Sequence, residues 1–149
     1  MNHLAFAAAL VACVSLTAQV AEKPKAEALV KEAIAFAKAN GKDKLLKEIN
    51  LGSGKFHVTS DKALYVFMYD LKGVCVAHGF SSKYIGTNRW EVKDPDGKLY
   101  IQEMAKLAQG KGKGWVDYKF INPTTNKVEP KTSYVEAWEG HFVACGIYK

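Results

Sequence analysis

The residues best suited to ligand chemistry in this sequence are aromatic rings with polar tips, together with two lysines, spread between residues 65 and 138. They are Tyr65, Tyr69, His78, Trp90, Trp115, Tyr118, Lys119, Lys131, Tyr134 and Trp138. A buried lysine or histidine beside tyrosine hydroxyls recognises a carboxylate through charge-assisted hydrogen bonds, and apolar walls with a few polar groups are typical of small-ligand sites. Ordinary core packing with tyrosine hydroxyls at the rim explains the same residues, and both interpretations stay open at this point.

No arrangement typical of catalysis or metal binding accompanies these residues. A hydrolase needs a nucleophile with a base and an orienting acid, but the sequence contains no Gly-x-Ser-x-Gly. His57, His78 and His141 stand alone, without the i, i+4 partner or cysteine companion of a metal site. We therefore expect a protein that is not an enzyme and holds no metal or cofactor.

The segment from Gly110 to Gly114 alternates glycine and lysine, a composition that could cradle a phosphate. Phosphate loops precede a helix N-terminus, whereas this segment follows a predicted helix and precedes a predicted strand. We interpret it as a helix stop and a solvated turn.

The net charge of +6, from 21 basic and 15 acidic residues, would suit a nucleic-acid partner. However, Arg89 is the only arginine, and the lysines are dispersed along the chain in no block of five. Nucleic-acid binding proteins cluster their basic residues on one face and favour arginine for bidentate contacts. The charge therefore indicates a solvated, lysine-rich surface, and we do not expect a nucleic-acid partner.

Three helices follow from the hydrophobic periodicity. The first is predicted from Pro24 to Asn40, with apolar residues at three- and four-residue steps and with proline in the first turn. A short second helix runs to Ile49 and is predicted to be capped by Asp43. The third is predicted over residues 99–109.

Five segments have the alternation and the β-branched or aromatic content of strands. They are residues 64–69, 74–78, 115–120, 132–138 and 141–148. Residues 79–98 between the second and third strands are irregular. Hairpin-linked strands with segregated helices predict an α+β fold with an antiparallel sheet in a single domain.

The first 21 residues contain no Asp, Glu, Lys or Arg, and an apolar core is followed by small and polar residues. This pattern predicts a signal peptide over residues 1–21, cleaved between Ala18 and Ala21, and one domain over residues 22–149. An uncleaved membrane anchor and a lipoprotein modified at Cys13 are the alternatives. Cleavage would leave Cys75 and Cys145, which we predict to be buried free thiols, with a disulfide as the alternative.

Six motifs run through the chain in order: YVFMYDLKGVCVAHG at 65–79, IGTNRW at 85–90, KDPDGK at 93–98, GWVDYK at 114–119, VEPKTSYV at 128–135 and GIY at 146–148. From Pro24 to Lys149 the chain thereby resembles a single Cache domain of the second type. Such domains are extracytoplasmic sensor modules of bacterial chemoreceptors and sensor kinases.

The resemblance implies a PAS-like, five-stranded antiparallel sheet with the long N-terminal helix on one face. The insertion between the second and third strands would cover the other face and form a ligand pocket, and the first strand would separate the strands carrying Cys75 and Cys145. Lys131 would neutralise a ligand carboxylate, His78 and Tyr118 would donate hydrogen bonds, and the remaining predicted site residues are Trp90, Trp115 and Tyr134. Arg89 stands where the family more often has an apolar residue, so we leave it outside the predicted site.

The resemblance also implies a small metabolite, often a short carboxylate, as the ligand. Because only Lys149 follows Tyr148, we expect a free-standing periplasmic module without a transmembrane or output segment, acting through a membrane receptor or kinase. The alternative is a periplasmic protein-interaction module that contacts a membrane receptor without binding a ligand.

Overall fold

The structure, a computed structural model, describes residues 10–58 and 60–149, with side chains from Glu22 onward. Its helices and strands are α1 (Leu10–Asn40), α2 (Lys42–Asn50), β1 (Val66–Asp70), β2 (Cys75–His78), α3 (Tyr100–Gly110), β3 (Lys113–Ile121), β4 (Val128–Trp138) and β5 (His141–Tyr148), with a short 3₁₀ turn at Ser82–Tyr84.

The five strands form one antiparallel sheet in the order β2-β1-β5-β4-β3. This confirms the predicted α+β class and the PAS-like sheet. Cys75 in β2 and Cys145 in β5 are buried free thiols, and β1 separates their strands, as expected.

One face of the sheet, here called the helix face, is covered by α1 and α2. The small and branched residues of α1 that recur at three- and four-residue steps, such as Ala26, Val30 and Ala33, are fully buried against it. The sheet contributes alternate residues, among them Val66 and Met68 of β1. This mainly aliphatic layer is the larger of the two cores of the domain, and it packs the sheet against the long helix.

The opposite face, here called the insertion face, is covered by residues 79–99 and by α3. Aromatic residues of β1 and β5 meet α3 here, where Ile101 and Met104 are buried. Asp94 fastens the insertion to the edge of the sheet, because its carboxylate accepts the backbone N–H groups of Lys98 and Lys119 at 2.9 and 3.0 Å. Gly73 in the β1–β2 turn allows close contact with Trp90, since a Cβ there would lie 3.0 Å from the Trp90 backbone nitrogen.

Three local predictions are corrected. α1 begins upstream of residue 24, so Pro24 lies inside the helix rather than in its first turn. Asp43 does not cap α2, because only Gly41 separates the two helices and occupies the N-cap position with φ 91°. β4 begins at Val128, four residues before the predicted start. The prediction started too late because proline, which lacks a backbone N–H, is unusual inside a strand, and Pro130 lies within this one.

The predicted leader extends beyond what the structure describes. Residues 1–9 lie outside the described residues, and residues 10–21 form the beginning of α1. Cleavage near Ala21 therefore stays a prediction. Within the described residues, no helix has both the length and the apolar character needed to cross a bilayer.

Candidate functional site

Lys131 is the most deeply buried charged side chain of the insertion face, at 1% exposure. It starts on β4, passes over Gly146 of the neighbouring strand β5, and its Nζ donates a hydrogen bond to the Tyr65 hydroxyl at 2.9 Å. A Cβ at position 146 would lie 2.5 Å from Lys131 Cε. Glycine is therefore required at this position for the lysine to cross the strand.

The Lys131 ammonium is enclosed by aromatic rings. The ring centroids of Tyr65, Tyr148, Phe120 and Phe67 lie 4.3, 4.9, 5.3 and 5.5 Å from Nζ. None of the ion pairs among the described residues includes Lys131. Burial lowers the pKa of Lys131 to about 7, because the desolvated ammonium has only ring faces and one hydroxyl to replace water.

His78, the last residue of β2, lies in the same aromatic layer. Its ring centroid is 4.8 Å from that of Tyr84 and 5.2 Å from that of Tyr65. Burial, together with the positive charges of Lys131 and Arg89, lowers its pKa to about 3. Nδ1 accepts the backbone N–H of Ser81 at 3.1 Å, so the neutral ring carries its proton on Nε2. This leaves the Nε2–H as the donor that His78 can offer to a ligand.

Tyr118 and Ser133 complete the polar part of the site. Their hydroxyl oxygens lie 3.0 Å apart on neighbouring strands, and either can donate to the other. The Tyr118 ring stacks on Tyr100 of α3 with centroids 4.8 Å apart and planes 9° apart, and burial raises the pKa of Tyr118 well above its usual value. We refer to Tyr65, His78, Tyr118, Lys131 and Ser133 as the Lys131 cluster.

The remaining predicted site residues lie elsewhere. Trp90 is on the insertion face, but at the β1–β2 turn, where it lines an open cavity of about 520 Å³ with Leu71 and Lys72. Trp115 and Tyr134 lie on the helix face, with ring centroids 5.6 Å apart. The structure therefore brings together His78, Tyr118 and Lys131 and places Trp90, Trp115 and Tyr134 outside their cluster.

The reason is strand geometry. Successive side chains of a strand point to opposite faces, so residues three apart cannot share a face without a bulge. Trp115 is three residues from Tyr118 on β3, and Tyr134 is three residues from Lys131 on β4. The paired register of β3 and β4 is uninterrupted, so one member of each pair must face the helix.

The family model of the single Cache domain 2 matches residues 18–148 of this chain. The chain belongs to the single Cache domain 2 family. This family comprises PAS-like sensor domains of chemoreceptors and histidine kinases, and it associates the chain with signal transduction and chemotaxis.

Two curated relatives match part of this Cache domain. The sensor histidine kinase MctS of Rhizobium johnstonii is 33% identical over 87 residues, which are 56% of this chain and 18% of the kinase. The methyl-accepting chemotaxis protein McpP of Pseudomonas putida is 28% identical over 86 residues, 56% of this chain and 16% of the receptor. The chain thus spans less than a fifth of the length of either relative.

Solved structures share the fold. A methyl-accepting chemotaxis protein of Vibrio parahaemolyticus has a TM-score of 0.75 at 21% identity, over 92% of this chain and 95% of the other. A Cache chemosensory domain described for its carboxylic acid recognition has a TM-score of 0.65 at 24% identity, over 93% and 95% of the two chains. At these identities the comparison establishes the Cache fold alone.

Several residues of the insertion face stand outside the predicted site. Tyr65, which is among the candidate residues of the sequence, and Ser133, which is not, belong to the cluster, and Arg89 and Tyr84 lie over its outer side. A two-residue alternation counted from Lys131 would have found Ser133. Tyr65 and Tyr84 could not be found that way, because their proximity depends on how β1 and the insertion pack in three dimensions.

Within the part of the chain that the structure describes, no group of three or more His, Cys, Asp or Glu side chains is arranged to hold a metal ion. The chemistry available to the Lys131 cluster is therefore that of one cation and several hydrogen-bond donors inside an aromatic enclosure. Such a set is suited to an anion with a small apolar body.

Proposed function

We propose that this Cache domain is an exported, non-catalytic sensor module that binds a small organic acid at the Lys131 cluster. One observation carries the proposal: the Lys131 ammonium is buried and has no carboxylate partner among the described residues. Burying a charge without a counter-charge costs free energy. A ligand carboxylate beside Nζ would remove that cost on binding.

The neighbouring groups are suited to orient such a ligand. The Nε2–H of His78 and the hydroxyls of Tyr118 and Ser133 would donate to the carboxylate or to a second ligand oxygen. The rings of Phe67 and Phe120, which already face the ammonium, would contact the carbon chain. A cation, fixed donors and an apolar enclosure together favour a short organic acid over a sugar or an amine.

The comparisons support the same class of function. The curated relatives are a sensor kinase and a chemotaxis receptor, and a structural neighbour is described for carboxylic acid recognition. For this chain we propose a periplasmic location, with a membrane receptor or kinase as the partner. Cleavage near Ala21 would agree with the sequence, because Pro24 would then lie in the first turn of α1, where proline is favoured.

A thermal-shift screen tests the proposal with acetate, propionate, lactate, pyruvate and succinate as probes. At a hundredfold excess over Kd, a bound acid should add about 2.7 kcal/mol to the unfolding free energy of the wild-type chain. Lys131→Met should abolish this stabilisation, because methionine keeps much of the lysine volume without the charge. The variant should fold, since replacing an unpaired buried charge by an apolar side chain removes a cost.

The matched control is Lys119→Met on the neighbouring strand. Lys119 is partly exposed, and its ammonium pairs with Asp96 at 3.0 Å, so this substitution should leave the stabilisation by the acid within about 0.5 kcal/mol of the wild type. If no organic acid stabilises the folded wild-type chain, or if Lys131→Met responds like the wild type, the proposal is wrong.

A further inference from the structure

A second cation lies on the insertion face, on the outer side of the aromatic layer. Arg89 is half-buried, and its Nη2 donates to the Tyr100 hydroxyl at 2.7 Å. The centre of its guanidinium lies 4.7 Å from the centroid of the Tyr84 ring. Its backbone N–H donates to the Gly73 carbonyl at 2.8 Å, which fixes where the side chain starts.

Arg89 has unused binding capacity. Its Nε is buried and has no hydrogen-bond partner in the described structure, and none of the ion pairs between described residues includes it. A guanidinium presents a planar fork of donors that fits a carboxylate through two parallel hydrogen bonds. Here only one edge of the fork is used, by a neutral hydroxyl.

The two unpaired cations belong to one continuous environment. Tyr84 lies against Arg89 and, with centroids 5.8 Å apart, against Phe120. Phe120 in turn lies 5.3 Å from the Lys131 ammonium. His78 responds to both charges, because the positive potentials of Lys131 and Arg89 both lower its pKa.

We propose that Arg89 is a second anion-binding residue of this site, so that the preferred ligand is a short acid with a carboxylate at each end, one held by Lys131 and the other by Arg89. This inference rests on the proposed carboxylate site at Lys131. A monocarboxylate at that site neutralises one cation and leaves the other unpaired, whereas a diacid neutralises both. The buried Nε supplies the donor that the second carboxylate needs.

Isothermal titration calorimetry on the purified full chain tests this with acids matched in carbon number. The pairs are propionate with malonate, butyrate with succinate, and valerate with glutarate. In at least one pair the wild-type chain should bind the diacid at least tenfold more tightly than the monoacid. Arg89→Gln should reduce that ratio to about twofold or less, and Arg89→Lys should retain part of it.

Lys83→Gln is the matched control, because Lys83 also lies over the Tyr84 ring, with Nζ 5.2 Å from its centroid, and also lowers the pKa of His78. This variant removes the same charge from an exposed position, and it should keep the diacid preference. A fall in the ratio equal to that of Arg89→Gln would show a general effect of positive potential and overturn the inference.

The remaining outcomes separate this inference from the proposed function. Should monoacids bind in a Lys131-dependent manner and at least as tightly as diacids in all three pairs, the site at Lys131 stands and the role of Arg89 is wrong. Should none of the six acids bind to the folded wild-type chain, the role of Arg89 is wrong, and the proposed function is wrong as well if acetate, lactate and pyruvate also fail to stabilise the chain. Circular dichroism establishes whether each variant is folded. If Arg89→Gln does not fold, the ratios of diacid to monoacid affinity measured for the wild-type chain test the inference on their own.

Discussion

The two faces of the sheet are made from the same strands, and they differ sharply in what they bury. On the helix face, β1 and β5 contribute Val66, Met68, Val143 and Ile147 to an aliphatic core against α1. On the insertion face, the alternate residues include tyrosines, and Lys131 joins them from β4. The helix face buries mainly apolar side chains, whereas the insertion face also buries side chains that can ionise or form hydrogen bonds.

This difference has an energetic meaning. Apolar burial on the helix face stabilises the fold at about 25 cal/mol per Å². Burial of Lys131 and His78 costs free energy, because the charged form of each side chain loses its hydration. The lowered pKa of both side chains reflects that cost. We infer that the helix face carries stability and that the insertion face gives up stability to remain complementary to an anion.

The largest expected effect that separates the faces is the pH dependence of ligand affinity. The charged form of Lys131 binds the acid, and its pKa in the empty site is about 7, so rising pH removes the binding form. From pH 7 to pH 9 the affinity for an organic acid should fall roughly fiftyfold. Calorimetry in buffers of different ionisation enthalpy should also detect proton uptake at pH 7 to 8. An affinity that stays constant to pH 9 would contradict this role of Lys131.

Gly146→Ala tests how closely the side chains of β4 pack over β5 on the insertion face. The added methyl group would overlap Ser133 Oγ, its nearest neighbour, and would lie 2.5 Å from Lys131 Cε and 2.9 Å from the Thr132 backbone oxygen. We expect a loss of about 1–3 kcal/mol in unfolding free energy, together with weaker acid binding, because the side chains of Ser133 and Lys131 must be displaced. Urea denaturation measures the stability.

Gly110→Ala is the control for that substitution. A Cβ at the end of α3 meets no atom within 4 Å, so this variant should be at least as stable as the wild type. Equal destabilisation of both variants would show that the effect is unrelated to the path of Lys131.

A pair of tyrosine substitutions sharpens the comparison at a smaller scale. Tyr118→Phe removes a hydroxyl on the insertion face, next to Ser133, and should weaken acid binding about tenfold. Tyr134→Phe removes a hydroxyl on the helix face, where it donates to Glu136 at 2.8 Å, and should change the affinity by less than about twofold. If both variants bind equally well or equally badly, the assignment of binding to one face is wrong.

Much of the fold could be predicted because local patterns agreed with the final structure. The three- and four-residue steps after Pro24 predict a helix that packs on a sheet, and the aromatic and branched run at residues 64–69 predicts a strand. Prediction of the fold fails where a local residue preference is overridden by pairing with distant parts of the chain. Pro130 lacks the N–H that a strand residue normally donates, yet β4 continues through it, and its carbonyl still accepts the Lys149 N–H at 2.9 Å.

The site was only half predictable, for a reason that the sequence itself contains. Grouping Trp115 with Tyr118 and Tyr134 with Lys131 disregards the alternation of side chains along a strand. Applying that rule would have removed two residues and added Ser133. Arg89 could not be placed by any such rule, because it lies in an irregular segment whose position depends on the bonds of Asp94 and on contact with Gly73.

The path of Lys131 over Gly146 also bears on how the sheet assembles. β5 lies at the centre of the sheet, and a slip of two residues would preserve which side chains face each layer. Such a slip would bring Ala144 or Tyr148 beneath the lysine stem in place of glycine, and a side chain at that point would occupy the space of the stem. The crossing therefore disfavours misregistered pairings of β4 with β5 that hydrophobic patterning alone would accept, so the contact between Lys131 and Gly146 helps to specify the register at the centre of the sheet.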